Sequence, residues 1–274
     1  MTYPERACGI ALLITSALLV QSSFSKERVD VAPPALQTSA QSSCNRGRFR
    51  IILDVGHTAE EPGAMSARGI SEFTFNYRLA HHIRQQLKDT GFAQTEVLIT
   101  AGASFGGLLQ RVASVNRMAP NLLLSIHHDS VPEVLLEKWE YAGTQRRFSD
   151  KFKGHALFIS SENSHFQASL YFARLLGYEL QARGLQYASH YTQPFMGKRR
   201  RELLDAKVGV YRFDQLLVLR KAQVPAVLLE AGSIVNRDEE LELGSRERQA
   251  TIGAAVTQAA EVFCSLPPFR PHVR

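Results

Sequence analysis

The sequence predicts an α/β fold, a largely parallel central sheet flanked by helices on both faces. Two observations carry that expectation. Short runs rich in Ile, Leu and Val (IILDV from Ile51, TEVLIT from Thr95, LLLSI from Leu122, HALFIS from His155, AVLL from Ala226) alternate with segments whose apolar residues recur at helical spacing. Three runs end in residues that carry chemistry, Gly56-His57, His127-His128 and Glu230, and open α/β sheets gather ligands outside the carboxyl ends of their strands. With 274 residues and 45% hydrophobic content, the chain can form one sizeable domain plus accessory segments.

The chain opens outside that domain. Arg6 precedes CGIALLITSALLV, a 13-residue apolar stretch of signal-peptide length and too short to span a bilayer. Residues 1–25 are therefore expected to be a signal peptide and the chain to be exported, to the periplasm or cell envelope. An uncleaved anchor is the alternative, because Glu5 offsets Arg6. Residues 26–47, which include VAPPALQTSAQSS, read as a flexible linker, 48–264 as the folded domain and 265–274 as a tail.

Within the domain, Gly56 and Gly63 permit sharp turns after the first strand. Ser71 is a good N-cap for a helix starting at Glu72 and closing at Gly91, with Phe73, Tyr77, Ala80, Ile83 and Leu87 on its apolar side. His81 and His82 read as solvated residues of its polar side. AGASFGG leads from the strand at Thr95 into a helix carrying Leu109, Arg111, Val112 and Val115, which ends before Pro120. Val131–Gly154 is a long connection. A strand over His155–Ser160 and a helix from about Phe166 to Arg183, stopped by Gly184, come next. Tyr187–Tyr211 reads as a loop; its Lys198–Arg201 run is either a solvated basic segment or a contact for an anionic polymer. QLLVLR at Gln215 is too short to assign, and the helix Glu247–Phe263 closes the domain.

A strand-end His57, a helix-start Glu72, a strand-end His127 or His128 and a strand-end Glu230 can converge on one sheet edge, which suggests a metal site. Taken singly, each has a plainer role: a hydrogen-bonded structural histidine, an N-cap or a salt-bridge partner. The segments DVGHTAEEPGA, Glu72 at a helix start, LLLSIHHDS and VPAVLLEAGSIVN together closely resemble the zinc-dependent N-acetylmuramoyl-L-alanine amidases that remodel bacterial cell walls. The resemblance covers about Arg48–Phe263. It implies that His57, Glu72 and His127 bind Zn²⁺, leaving a fourth position for water, and that Glu230 is the catalytic carboxylate. The implied reaction cleaves the amide between N-acetylmuramic acid and L-alanine in peptidoglycan. A zinc peptidase of the stem peptide and an inactive wall-binding module are the alternatives.

Two positions depart from the family pattern. His128 stands where a small residue is usual, and since neighbouring strand residues face opposite ways, one of His127 and His128 reaches the metal. Thr58-Ala59-Glu60-Glu61 replaces a glycine-rich loop, and Glu60 and Glu61 are read as loop carboxylates. Asp54 and Asp129 are candidates to support the ligands.

The net charge of +6 fits an anionic partner such as the wall polymer. Export argues against nucleic acid, no stable membrane insertion is expected once the signal is removed, and the sequence names no protein activator. Trp139 and Tyr141 in the Val131–Gly154 connection suggest a sugar-stacking or lid segment at the site rim, against an ordinary surface loop. Of three cysteines, Cys8 falls in the segment to be removed. Cys44 and Cys264 bracket the domain, and a disulfide between them is expected in an oxidising compartment, against two unpaired thiols.

Overall fold

A computed structural model describes residues 44–102 and 104–266. The expected signal peptide, the linker up to residue 43 and the tail beyond residue 266 lie outside the described residues.

Seven strands form one sheet in the order β2-β1-β3-β9-β6-β8-β7. They are β1 (Ile51–Val55), β2 (Thr95–Leu98), β3 (Leu122–Asp129), β6 (Ala156–Ile159), β7 (Glu202–Asp205), β8 (Val210–Arg212) and β9 (Ala226–Ser233); β4 (Glu137–Tyr141) and β5 (Thr144–Phe148) make a separate hairpin. The helices are α1 (Glu72–Asp89), α2 (Ser104–Met118), α3 (Phe166–Ala182), α4 (Leu217–Lys221), α5 (Arg237–Gly244) and α6 (Arg246–Cys264). Among the described residues no helix is long and apolar enough to cross a membrane.

The strands are apolar on both sides because both faces are covered. Ile51, Leu53, Val55, Leu122, Leu124 and Ile126 pack with α1, α3 and α6. Ile52, Leu123 and Leu228, on the opposite parity, pack with α2, α4 and the loop around Tyr191 and Met196. The centre of the sheet is parallel, β2-β1-β3-β9. Beyond it the direction changes: β6 runs antiparallel to β9, and β7 antiparallel to β8. A parallel return needs a crossover that carries the chain back to the starting edge. The connection from β3 to β6 holds only a single 3-10 turn, Glu133–Leu135, and the hairpin, so the chain re-enters at the end where it left.

That hairpin is what the long connection becomes. Its turn, Ala142-Gly143, has φ of 51° and 74°, the left-handed pair of a type I′ turn. Trp139 Nε1 donates to the Ala67 carbonyl at 3.0 Å, and the Arg68 and Arg237 guanidinium carbons lie 5.5 and 5.1 Å from its ring. Arg68 in turn binds buried Glu240 of α5, Nη1 to Oε2 at 2.7 Å. The hairpin is thus fastened to the loop that delivers Glu72.

Several expected faces and bounds shift. In α1 the buried side is Phe75, Leu79, Ala80, Ile83 and Leu87, while Tyr77 is exposed and Phe73 half-buried. His81 and His82 are half-buried, and His81 Nδ1 lies 2.9 Å from the Tyr77 carbonyl. In α2 Leu109 is exposed and Arg111 buried. β3 and β9 extend through His127-His128 and Glu230, which were expected just past the strands. The Tyr187–Tyr211 loop contains 3-10 turns at Ser189–Thr192 and Pro194–Arg199, then β7, while QLLVLR supplies α4. Cys44 and Cys264 form a disulfide, with Cα atoms 5.0 Å apart.

Candidate active site

The site assembles where β1, β3 and β9 end. In β3, His127 continues the parity of Leu123 and Ser125, and it lies in register with Glu230 on parallel β9. Partners across a parallel pair share a face, so the imidazole and the carboxylate stand side by side. His128 has the other parity: it is buried, and its Nδ1 lies 2.7 Å from Asn76 Oδ1 on α1. Burial, the leading effect, holds the His128 pKa down to about 3, so the ring is neutral. Strand geometry thus selects His127 for the cluster.

Glu72 reaches the cluster from the first turn of α1, whose N-cap Ser71 accepts from Thr74 N. Its Oε2 lies 2.9 Å from His57 Nε2 and its Oε1 2.9 Å from His127 Nδ1. Ala64 N donates to Oε2 at 3.2 Å and Asn76 Nδ2 to Oε1 at 3.3 Å. Burial opposes ionisation of Glu72, but the hydrogen bonds to His127 and His57 and their charge override it and hold the carboxyl far below the usual range. Two glycines make this approach possible. A Cβ at Gly56 would sit 2.4 Å from the His127 ring, and one at Gly63 2.6 Å from Glu72 Oε2.

His57 is held in the left-handed region, with φ of 66°, which few side chains adopt. Its carbonyl accepts from Arg111 Nη2 at 2.8 Å. The same guanidinium reaches Thr100 Oγ1 at 2.7 Å and Asp54 Oδ1 at 3.0 Å, and Ser125 Oγ donates to Asp54 Oδ2 at 2.7 Å. Asp54 therefore acts on the site through Arg111.

One ligand atom from each of His57, Glu72 and His127 falls within 4.8 Å of the others, and among the described residues this is the group that could hold a metal ion. Two imidazole nitrogens and a carboxylate oxygen on a glycine-lined cradle fit Zn²⁺. Glu60 and Glu61 stand outside the cluster; Glu60 Oε2 accepts from Gly102 N at 3.1 Å.

Glu230 is the unbalanced group. Its Oε2 is buried with no hydrogen-bond partner. Burial first, then the charges of Asp129 and Glu72, raise its pKa well above the carboxylate range, opposed by Arg199. Beyond it, Asp129 accepts from Arg199 Nη2 at 3.2 Å and Ser130 N at 2.7 Å, and lies 3.5 Å from His190 Nε2. One cavity adjoins the cluster and another opens beside His190. One of about 180 Å³ is walled by Leu108, Leu216 and Val218 beside His57 and His127. A larger one, about 700 Å³, is bounded by Lys151, Phe152, Lys153, His190 and Phe195.

Sequence reading did not single out Asn76, Arg111, His190 or Arg199 for the site. A charged residue among the inward positions of α2 marks Arg111, and spacing of four from Glu72 marks Asn76. Arg199 lies in the Lys198–Arg201 run read above as a solvated segment or an anionic contact, and His190 carries no comparable signal.

Fold and site define the class: an α/β protein with a candidate metal centre at the carboxyl ends of parallel strands and an isolated carboxylate beside it. The chain belongs to the N-acetylmuramoyl-L-alanine amidase family, whose model matches residues 51–261. An N-acetylmuramoyl-L-alanine amidase of Mycobacterium tuberculosis is 23% identical over 258 residues, 86% of this chain and 94% of that protein. The fold is shared with the crystal structure of an N-acetylmuramyl-L-alanine amidase of Mycobacterium smegmatis (19% identity, 79% of this chain and 97% of that one, TM-score 0.59). It is shared as well with the catalytic domain of an N-acetylmuramoyl-L-alanine amidase of Bacillus (Paenibacillus) polymyxa (24% identity, 77% and 96%, TM-score 0.55).

Proposed function

We propose that the chain is a zinc-dependent N-acetylmuramoyl-L-alanine amidase that hydrolyses the amide between the lactyl group of N-acetylmuramic acid and L-alanine in peptidoglycan. The observation that carries this reading is the placement of Glu230, an orphaned carboxylate, in register with His127 of the His57–Glu72–His127 cluster. His57, Glu72 and His127 hold the metal. When bound, zinc supplies Lewis acidity to the scissile carbonyl and lowers the pKa of water. Glu230 accepts the proton released as water attacks and returns it to the alanine nitrogen as the C–N bond breaks.

The Cys44–Cys264 disulfide supports action in an oxidising envelope compartment. The test is mass spectrometry of purified wall digested by zinc-loaded protein, alongside metal analysis. Release of intact stem peptide, with one zinc per chain, is the expected result. Cleavage within the stem peptide would make the protein a peptidase, and binding without release would make it a wall-binding module.

A further inference from the structure

The basic run Lys198–Arg201 does not act as a unit. Arg200 Nε donates to the Thr192 carbonyl at 2.8 Å, and the Arg201 guanidinium lies 3.8 Å from the Phe213 ring centroid, so both serve the loop itself. Arg199 points to the site instead, donating from Nη2 to Asp129 Oδ1 at 3.2 Å with its side chain 41% exposed. That bond uses one N–H, and among the described residues the other N–H groups of the planar fork have no hydrogen-bond partner, so they can meet a second carboxylate. Asp129 lies two residues past His127 on β3, which is about 6.6 Å along a strand.

We propose that Arg199 is a specificity-determining residue that binds the free carboxylate on the second residue of the leaving peptide. The assignment rests on the amidase reading above. From the scissile carbonyl carbon to that carboxylate is one Cα–Cα step of about 3.8 Å plus the bonds at either end, roughly 7 Å when extended. That length is of the same order as the two-residue step along β3 from His127, beside the cluster, to Asp129, the partner of Arg199. The chain beyond that point has somewhere to go. His190, which flanks Asp129, also bounds the cavity of about 700 Å³ whose rim carries Lys151 and Lys153.

The experiment compares N-acetylmuramoyl-L-alanyl-D-glutamate with its counterpart ending in D-isoglutamine, in which the α-carboxylate is a carboxamide and the γ-carboxylate is kept, so the two differ only at the group assigned to Arg199. Wild-type protein is expected to favour the acid in kcat/KM by roughly 10- to 100-fold, the range of a charge-assisted hydrogen bond. Arg199→Gln is expected to remove that preference by lowering kcat/KM for the acid more than for the amide, and Arg199→Lys to keep part of it as a point charge. Equal preference in the wild type, or an equal loss on both substrates, overturns the assignment, since a merely structural role lowers both together. Calorimetric binding of the two compounds to wild type and Arg199→Gln provides a readout independent of turnover. If wild type cleaves neither compound yet binds the acid selectively through Arg199, the amidase reading falls and the carboxylate site stands. Non-selective binding removes the site.

Discussion

At the scale of single residues, the proposed function divides the site into His57, Glu72 and His127, which would hold the metal, and Glu230, which would take the proton. Glu230→Gln keeps shape and removes the proton acceptor. It is expected to retain zinc in metal analysis while losing about 10²- to 10⁴-fold in wall hydrolysis, the usual contribution of a general base. His57→Ala is expected to lose the metal. Arg111 touches no ligand nitrogen, but it holds the backbone of His57 in a strained conformation through the 2.8 Å bond to its carbonyl. Arg111→Met leaves Asp54 buried without its cation and frees that backbone, so zinc affinity is expected to fall about 10- to 100-fold, as for other groups that orient ligands. Competitive chelator titration measures it; an unchanged zinc affinity would reduce Arg111 to a packing role.

At the scale of elements, charged residues inside the fold do work that apolar periodicity does not announce. The sequence of α5, RDEELELG, looks like a solvated segment, yet Glu239 accepts from Gly154 N and Ser233 N and Glu240 binds Arg68. Arg68 then lies beneath Trp139, so α5, the Ala64–Ser71 loop and the hairpin form one support behind Glu72. Trp139→Ala removes one hydrogen bond and two cation–π contacts and is expected to lower stability by about 2 kcal/mol. Urea denaturation checks this, and hydrogen exchange should rise in residues 64–71; no change in either would leave the hairpin an ornament of the surface. Deletion of Glu137–Arg147 is expected to lower activity on intact wall by loosening the same loop.

The entrance to β6 sets a pH dependence. His155 is buried beside the bridge to Tyr187, and burial holds its pKa down to about 4. Its folded value lies below the unfolded 6.5, so as pH falls the unfolded chain takes the proton first. The stabilisation is present above pH 6.5 and is lost as pH drops toward 4, on the order of 3 kcal/mol in all at 1.36 kcal/mol per pKa unit. Metal-free wild type should therefore lose more stability than His155→Leu between pH 7 and pH 4.5 in urea titrations. Parallel pH slopes would show that the histidine is solvated.

At the scale of the whole molecule, the disulfide joins the two ends of the domain across a sequence separation of 220. The chain-entropy account gives roughly 5 kcal/mol for a loop of that length, and native cystines commonly contribute about 2–5 kcal/mol. Reduction, or the Cys44→Ser/Cys264→Ser pair, is expected to lower the denaturation free energy within that range. Thiol labelling under non-reducing denaturing conditions should modify neither cysteine; labelling of both would show that the bridge does not form in solution.

The sequence by itself determined the alternation of strands and helices, and with it the placing of His57, His127 and Glu230 toward strand ends and of Glu72 at a helix start. Local rules were enough: apolar runs bounded by turns, an N-cap before Glu72, and the alternation that separates His127 from His128. The expected disulfide followed from the places of Cys44 and Cys264 at the domain ends. Only the tertiary structure decided the reversal at β6, because direction depends on which sheet edge the chain re-enters. It also decided that Glu239 and Glu240 of a polar helix would be buried, that an inward arginine would brace His57, and that one arginine of a basic run would reach Asp129. Those outcomes rest on charges meeting across separations of 54 to 172 residues, and a pairing of that kind leaves no periodic trace in either of the segments it joins.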